Sequence, residues 1–177
     1  ELNLADQQDF DDASRGLVAA PPTLTVAGPD NATIWDMSSY DFIEGDAPDT
    51  VNPSLWRQAK INNHHGLFKV TDGVYQLRGF DLSNMSIIEG QSGWIIVDPL
   101  TTRETAAAAI AFAREHLGNK PISAIIFTHS HVDHFGGVVS VLNADANTQI
   151  VAPVGFMEEA TSENVLAGTT ISRRSMF

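Results

Sequence analysis

Residues 125 to 137, IIFTHSHVDHFGG, restrict the fold of this chain more than any other stretch. His129, His131, Asp133 and His134 fall within six positions, directly after the apolar, β-branched run ISAIIFT of residues 122 to 128. Such a run suits a buried strand, and Gly136 with Gly137 lets the backbone turn tightly beneath the polar residues. The cluster is therefore expected in a strand-to-helix loop, where α/β folds build their sites. His129 and His131 alternate around Ser130, so in an extended loop both imidazoles face the same way and can hold one ion. Asp133 and His134 lie one turn further, where a second ion would stand about 3.5 to 4 Å away. Zinc suits these donors, and iron and manganese accept the same set, so spacing does not choose the metal. Two such cations lower the pKa of a shared water to about 7 and offset charge on a leaving oxygen. Asp133 can both ligate and orient the resulting hydroxide. Metal-assisted hydrolysis is the chemistry to which this pattern points.

The surrounding sequence indicates an α/β body. LFKVTDGVYQLRG alternates around a turn at Asp72-Gly73, and NMSIIEGQSGWIIVDP reads as two strands joined near Gly90 to Gly93. The pattern Thr101-Thr-Arg-Glu104 is a capping box, so a helix is expected from there through the Ala-rich run to Leu117, ending at Gly118 and Pro121. After the histidines, VVSVLNADAN predicts a short helix, TQIVAP a strand and VGFMEEATSENVLAG a further helix. Residues 1 to 60 are rich in Asp, Pro and Gly without a sustained period. They read as an extended arm wrapping a body of residues 61 to 177, held down by Trp35, Phe42 and Trp56.

Charge excludes some partners. The net charge of -12 is concentrated in residues 1 to 50, which carry eleven acids against one Arg. Without a basic stripe, nucleic acid and anionic membrane surfaces are poor partners. No apolar run approaches the roughly 18 to 20 residues of a spanning helix. The absence of Cys removes disulfides, thiolate ligands and a Cys nucleophile. The chain opens on Glu1 rather than Met, which leaves room for a leader already removed.

With these residues in place, THSHVDHFGG resembles the metallo-β-lactamase superfamily, with Asp98 of WIIVDP matching the Asp that ends its hairpin. The likeness implies an αββα sandwich, of which residues 66 to 155 would be the first part. A narrower likeness runs through LADQQDFDDASRGLVA, DLSNM and SENVLAGTTISRRSMF. These stretches resemble the alkyl sulfatases of that superfamily. That resemblance implies hydrolysis of alkyl sulfate esters such as dodecyl sulfate, two zinc ions, a homodimer and a periplasmic or secreted bacterial location. By position, His129 and His131 would hold one zinc, and Asp133 and His134 the other. The family's later His and carboxylate ligands have no counterpart here, since the six histidines are His64, His65, His116, His129, His131 and His134. The chain is therefore expected to be the N-terminal part of an enzyme whose C-terminal part completes the site. On its own it would leave one sheet face uncovered.

Asp98 ends a strand beside the cluster and is expected to orient the histidine loop rather than bind metal. Ser83-Asn84 are candidates to lie near the substrate. His64 and His65 read as surface residues, His116 as a cation suited to a helix C-terminus, Glu158-Glu159 as a solvated face, and Arg173-Arg174 as surface or subunit contacts. Other readings of the same ligands are a lactonase, thioesterase or β-lactamase, or an iron oxidoreductase on the same fold.

Overall fold

The computed structural model describes residues 3–142 and 148–166. Seven strands form one sheet in the order β1-β4-β5-β6-β7-β8-β9. They are β1 (Leu17–Ala19), β4 (Gly66–Thr71), β5 (Val74–Arg78), β6 (Met85–Glu89), β7 (Trp94–Val97), β8 (Ile122–Ile126) and β9 (Gln149–Val151). A hairpin of β2 (Thr25–Ala27) and β3 (Thr33–Asp36) stands apart from the sheet. The helices are α1 (Gln8–Ser14), α2 (Pro53–Asn62), α3 (Arg103–Leu117), α4 (Val138–Val141) and α5 (Phe156–Thr161), the last followed by a π-helical turn, Ser162–Leu166.

Pairing is antiparallel from β1 to β7 and parallel from β7 through β8 to β9. A parallel pair needs a crossover, and α3 supplies it between β7 and β8. Alternation then sorts the side chains. Leu67, Leu77, Met85, Ile87, Trp94 and Ile96 are buried in one core with Ala106, Ala109, Ile110 and Ala113 of α3. Each large apolar side chain buried this way contributes about 1.5–3 kcal/mol. The β2–β3 hairpin packs on α3, burying Leu24 and Val26. In the alternate registers, Val74, Ile88 and Ile95 form one row and Val97 pairs with Ile126. These five side chains stay partly exposed, so the second face is apolar and only half covered.

The helix N-terminus differs from expectation by one residue. The cap is Thr102, whose hydroxyl accepts from Thr105 N (3.1 Å) while Thr105 Oγ1 accepts from Thr102 N (3.3 Å). Thr101 is instead drawn to Asp81, donating to it from both N (3.0 Å) and Oγ1 (2.7 Å). Asp81 also accepts from Thr105 Oγ1. The buried carboxylate of Asp81 gathers several donors and so outweighs a capping Glu, because hydrogen bonds to a charged group contribute about 1.5–3 kcal/mol each.

The first 60 residues are more regular than their composition indicates. They contain α1, α2 and the hairpin, and β1 extends the sheet by pairing with β4. At that edge Gly66 has φ 130, and a Cβ there would stand 2.4 Å from Ala19 O. Arg78 Nη1 donates to Ala13 O (3.1 Å) and its guanidinium lies 4.2 Å from the Phe68 ring, tying α1 to the second face. Partial burial lowers the pKa of that guanidinium. Of the three expected anchors, Trp35 packs against the core and donates from Nε1 to Gly79 O (2.6 Å). Phe42 is 70% exposed and packs on Trp56 instead, so this pair holds the segment to itself rather than to the body.

Gly136 and Gly137 are needed for space rather than for an unusual φ. A Cβ on Gly137 would stand 2.3 Å from Pro99 O, and one on Gly136 2.1 Å from Thr101 O. Gly137→Ala in the full protein is expected to lose about 2–4 kcal/mol, read by urea unfolding; an unchanged midpoint would refute the close-packing account.

Candidate metal centre

The cluster sits where β7 and β8 end side by side. Asp98 and Leu100 follow β7 with φ of 56 and 63, a left-handed conformation that costs a non-Gly residue about 1–2 kcal/mol. That backbone turns Asp98 toward the loop after β8, and Leu100 is fully buried beneath it. Gly137 N donates to Leu100 O (2.9 Å), closing the turn from the other side.

Asp98 is buried and fully used. Its Oδ1 accepts from Thr128 N (2.8 Å), and its Oδ2 accepts from Thr128 Oγ1 (2.6 Å) and His134 Nδ1 (2.8 Å). These contacts fix tautomers. His134 carries its proton on Nδ1 and turns Nε2 inward. Because the Thr128 hydroxyl donates to Asp98, its oxygen accepts from His129 Nδ1 (2.9 Å), which turns His129 Nε2 toward His131. His129 Nε2 in turn lies 3.1 Å from His131 Nδ1, while His131 Nε2 faces Glu163 Oε1 at 3.5 Å.

The loop is supported from below by three rings. Phe135, next to His134, packs on Phe127 (5.9 Å between centroids) and Phe156 (5.2 Å), and the latter two stack at 5.2 Å. On the opposite side the Ser83 hydroxyl donates to Asp133 O. Ser83 is thus buried against the loop's backbone, whereas its neighbour Asn84 is exposed.

The donors occur in two pairs. Two ligands on a tetrahedral ion with bonds of about 2.0–2.1 Å stand about 3.3 Å apart. His129 Nε2 and His131 Nδ1 are 3.1 Å apart, and Asp133 Oδ2 and His134 Nε2 are 3.3 Å apart. Each pair therefore matches half of a coordination sphere, and the rings of His129 and His134 adjoin at 4.0 Å. Among the described residues no set of three such donors encloses a single ion. The donor types and spacings are thus compatible with metal binding, and neither pair by itself completes a coordination sphere.

The other singled-out residues lie elsewhere. His64 lines a cavity of about 790 Å³ between the first 60 residues and the β5–β6 loop, together with Arg78 and Asn84. His116 packs on Phe112 in the last turn of α3 (4.5 Å between centroids). Glu158 and Glu159 are exposed, and Arg173-Arg174 lie outside the described residues. Sequence reasoning missed Thr128 and Glu163. A hydroxyl immediately before a histidine motif was a usable signal for the first; the second lies in SENVLAG, a stretch singled out for its family resemblance without a role for its acid.

A family model of the metallo-beta-lactamase superfamily matches residues 78–171. The chain is 49% identical over its whole length to an alkyl/aryl-sulfatase, BDS1, of Saccharomyces cerevisiae. It is 51% identical, again over its whole length, to a linear primary-alkylsulfatase of a Pseudomonas species. It spans 28% and 27% of those relatives. A solved structure of the stereoselective inverting sec-alkylsulfatase Pisa1 from Pseudomonas matches 98% of this chain and 28% of its own length, with a TM-score of 0.90 and 49% identity.

Asp98→Asn would set an amide NH₂ against one of three donors. Metal affinity in the full protein is expected to fall about 10–100-fold, read by competition with a chromophoric chelator; affinity equal to wild type would show that Asp98 does not govern the histidines.

Proposed function

The chain belongs to the metallo-beta-lactamase superfamily, and from that premise we propose that it forms part of a metal-dependent hydrolase of alkyl sulfate esters such as dodecyl sulfate. The observation that carries this reading is the conjunction of two inward-facing donor pairs with near 50% identity, across the whole chain, to alkylsulfatases. Membership implies metal ions; two zincs are the finer proposal, with His129 and His131 on one and Asp133 and His134 on the other. Bound there, the ions supply an acidified water and positive charge opposite the departing sulfate. The remaining ligands and the sulfate-binding groups come from the C-terminal part of the enzyme.

The protein's own residues do the positioning. Asp98 and Thr128 turn Nε2 of His134 and His129 toward the cluster, so the donor atoms are oriented by the protein itself. Asp133, its backbone held by Ser83, is the carboxylate that both ligates and orients the attacking water. In the reaction a water oxygen bonds to the ester carbon, the C–O bond breaks with its electron pair leaving on sulfate, and the water's second proton passes to solvent. Attack at carbon is proposed because the matched sec-alkylsulfatase is described as inverting, and inversion at a chiral carbon requires that bond to break.

The polypeptide is proposed to comprise an N-terminal arm, residues 1 to 60, and the first part of the catalytic domain, residues 61 to 177. A homodimer in a periplasmic or secreted location belongs to the same proposal, checked by light scattering and by fractionation of the source cells. Among the described residues no helix is long and apolar enough to cross a membrane.

Full protein incubated with dodecyl sulfate in ¹⁸O-water is expected to release sulfate, to stop when chelated, and to carry the label in the alcohol. Label in the sulfate would move the attack to sulfur, and no chelator-sensitive release would sink the sulfatase reading. The 177-residue chain alone is expected to release no more sulfate than its His129→Ala variant; efficient turnover would mean that the site needs no further ligands.

A further inference from the structure

We propose that Glu163 is a positioning residue for His131, accepting the proton of its outward nitrogen and thereby aiming Nδ1 at the metal. The inference rests on the reading that His129 and His131 hold an ion. Histidine ligands bind through one nitrogen and are oriented through the other, most often by a carboxylate or carbonyl. His134 meets that requirement through Nδ1 on Asp98, and His129 through Nδ1 on Thr128, itself bonded to Asp98. His131 presents the opposite geometry. Its Nδ1 faces His129, so its outward nitrogen is Nε2, and the acidic oxygen facing that nitrogen is Glu163 Oε1 at 3.5 Å.

Position and burial single out Glu163 for this work. The His131 side chain is 55% exposed and so is poorly held by packing, whereas the Glu163 side chain is only 24% exposed. Glu163 is brought there by two features. Phe156 packs under the loop against Phe127 and Phe135, which fixes the start of α5 beside the cluster. The helix then passes into the π-helical turn Ser162–Leu166, a widened turn found mostly at functional sites, and this turn carries Glu163. At 3.5 Å the contact is longer than an optimal N–H···O hydrogen bond of about 2.9 Å, and a cation on Nδ1 strengthens it by making the Nε2 proton more acidic.

The test measures Zn²⁺ affinity by chelator competition, the Co²⁺ absorption spectrum and metal-free unfolding, all on the full protein. Glu163→Ala is expected to weaken Zn²⁺ binding about 10–100-fold and to alter the Co²⁺ bands, with the metal-free unfolding midpoint unchanged. Glu163→Gln, which keeps an acceptor oxygen without the charge, is expected to fall between Glu163→Ala and wild type. Wild-type affinity in Glu163→Ala overturns the proposal, and so does a loss of affinity that tracks a loss of metal-free stability. Should the wild-type protein itself bind no metal, or His129→Ala bind as tightly as wild type, the metal-centre reading beneath it fails instead.

Discussion

The carboxylate of Asp98 is the point on which the loop geometry depends. It accepts three hydrogen bonds, two from Thr128 and one from His134, and so joins the end of β7 to the loop after β8. Left-handed backbone at Asp98 and Leu100 costs about 1–2 kcal/mol each, against about 1.5–3 kcal/mol for each hydrogen bond to a charged acceptor. The bonds outweigh the strain. The strained turn also lets Leu100 O receive the Gly137 N–H, so the same two residues that aim the carboxylate also close the loop from beneath.

A second buried carboxylate repeats this logic one strand away. Asp81 gathers Thr101 and Thr105 and so fixes both the start of α3 and the loop before β6. That loop then delivers Ser83 to the carbonyl of Asp133. The histidine loop is therefore held on two sides by networks centred on buried carboxylates.

Strands β4 to β8 and helix α3 were legible because alternation, apolar β-branched runs or an Ala-rich stretch stood between clear turn signals, and the ligand loop because its residue types have few other uses. The misplaced cap illustrates the limit: Glu104 satisfied the local pattern, but Asp81, twenty residues before Thr101, claimed the threonine. Residues 1 to 60 looked irregular because β1, β2 and β3 have three or four residues each, too few to display alternation. Phe42 and Trp56 were read as anchors on size alone, yet they pair with each other. Glu163 was invisible for a different reason. Its partner lies 32 positions earlier, and tertiary packing, with Phe156 against Phe127 and Phe135, brings the two together.

Holding the donors from behind also separates metal binding from folding. In small zinc domains the metal supplies the folding energy, and the donors are unplaced without it. Here the imidazoles of His129 and His134 are placed by Asp98 and Thr128, the Asp133 backbone by Ser83, and the turn by two glycines that leave no room for a side chain. The donor atoms are thereby already gathered, His129 Nε2 3.1 Å from His131 Nδ1 and Asp133 Oδ2 3.3 Å from His134 Nε2. Under the proposed metal-binding role, a cation would meet these donors without a change in the backbone that carries them. The strain in the turn is offset within the scaffold itself, by the hydrogen bonds that Asp98 accepts, so the geometry of the donors is set by side chains standing behind them.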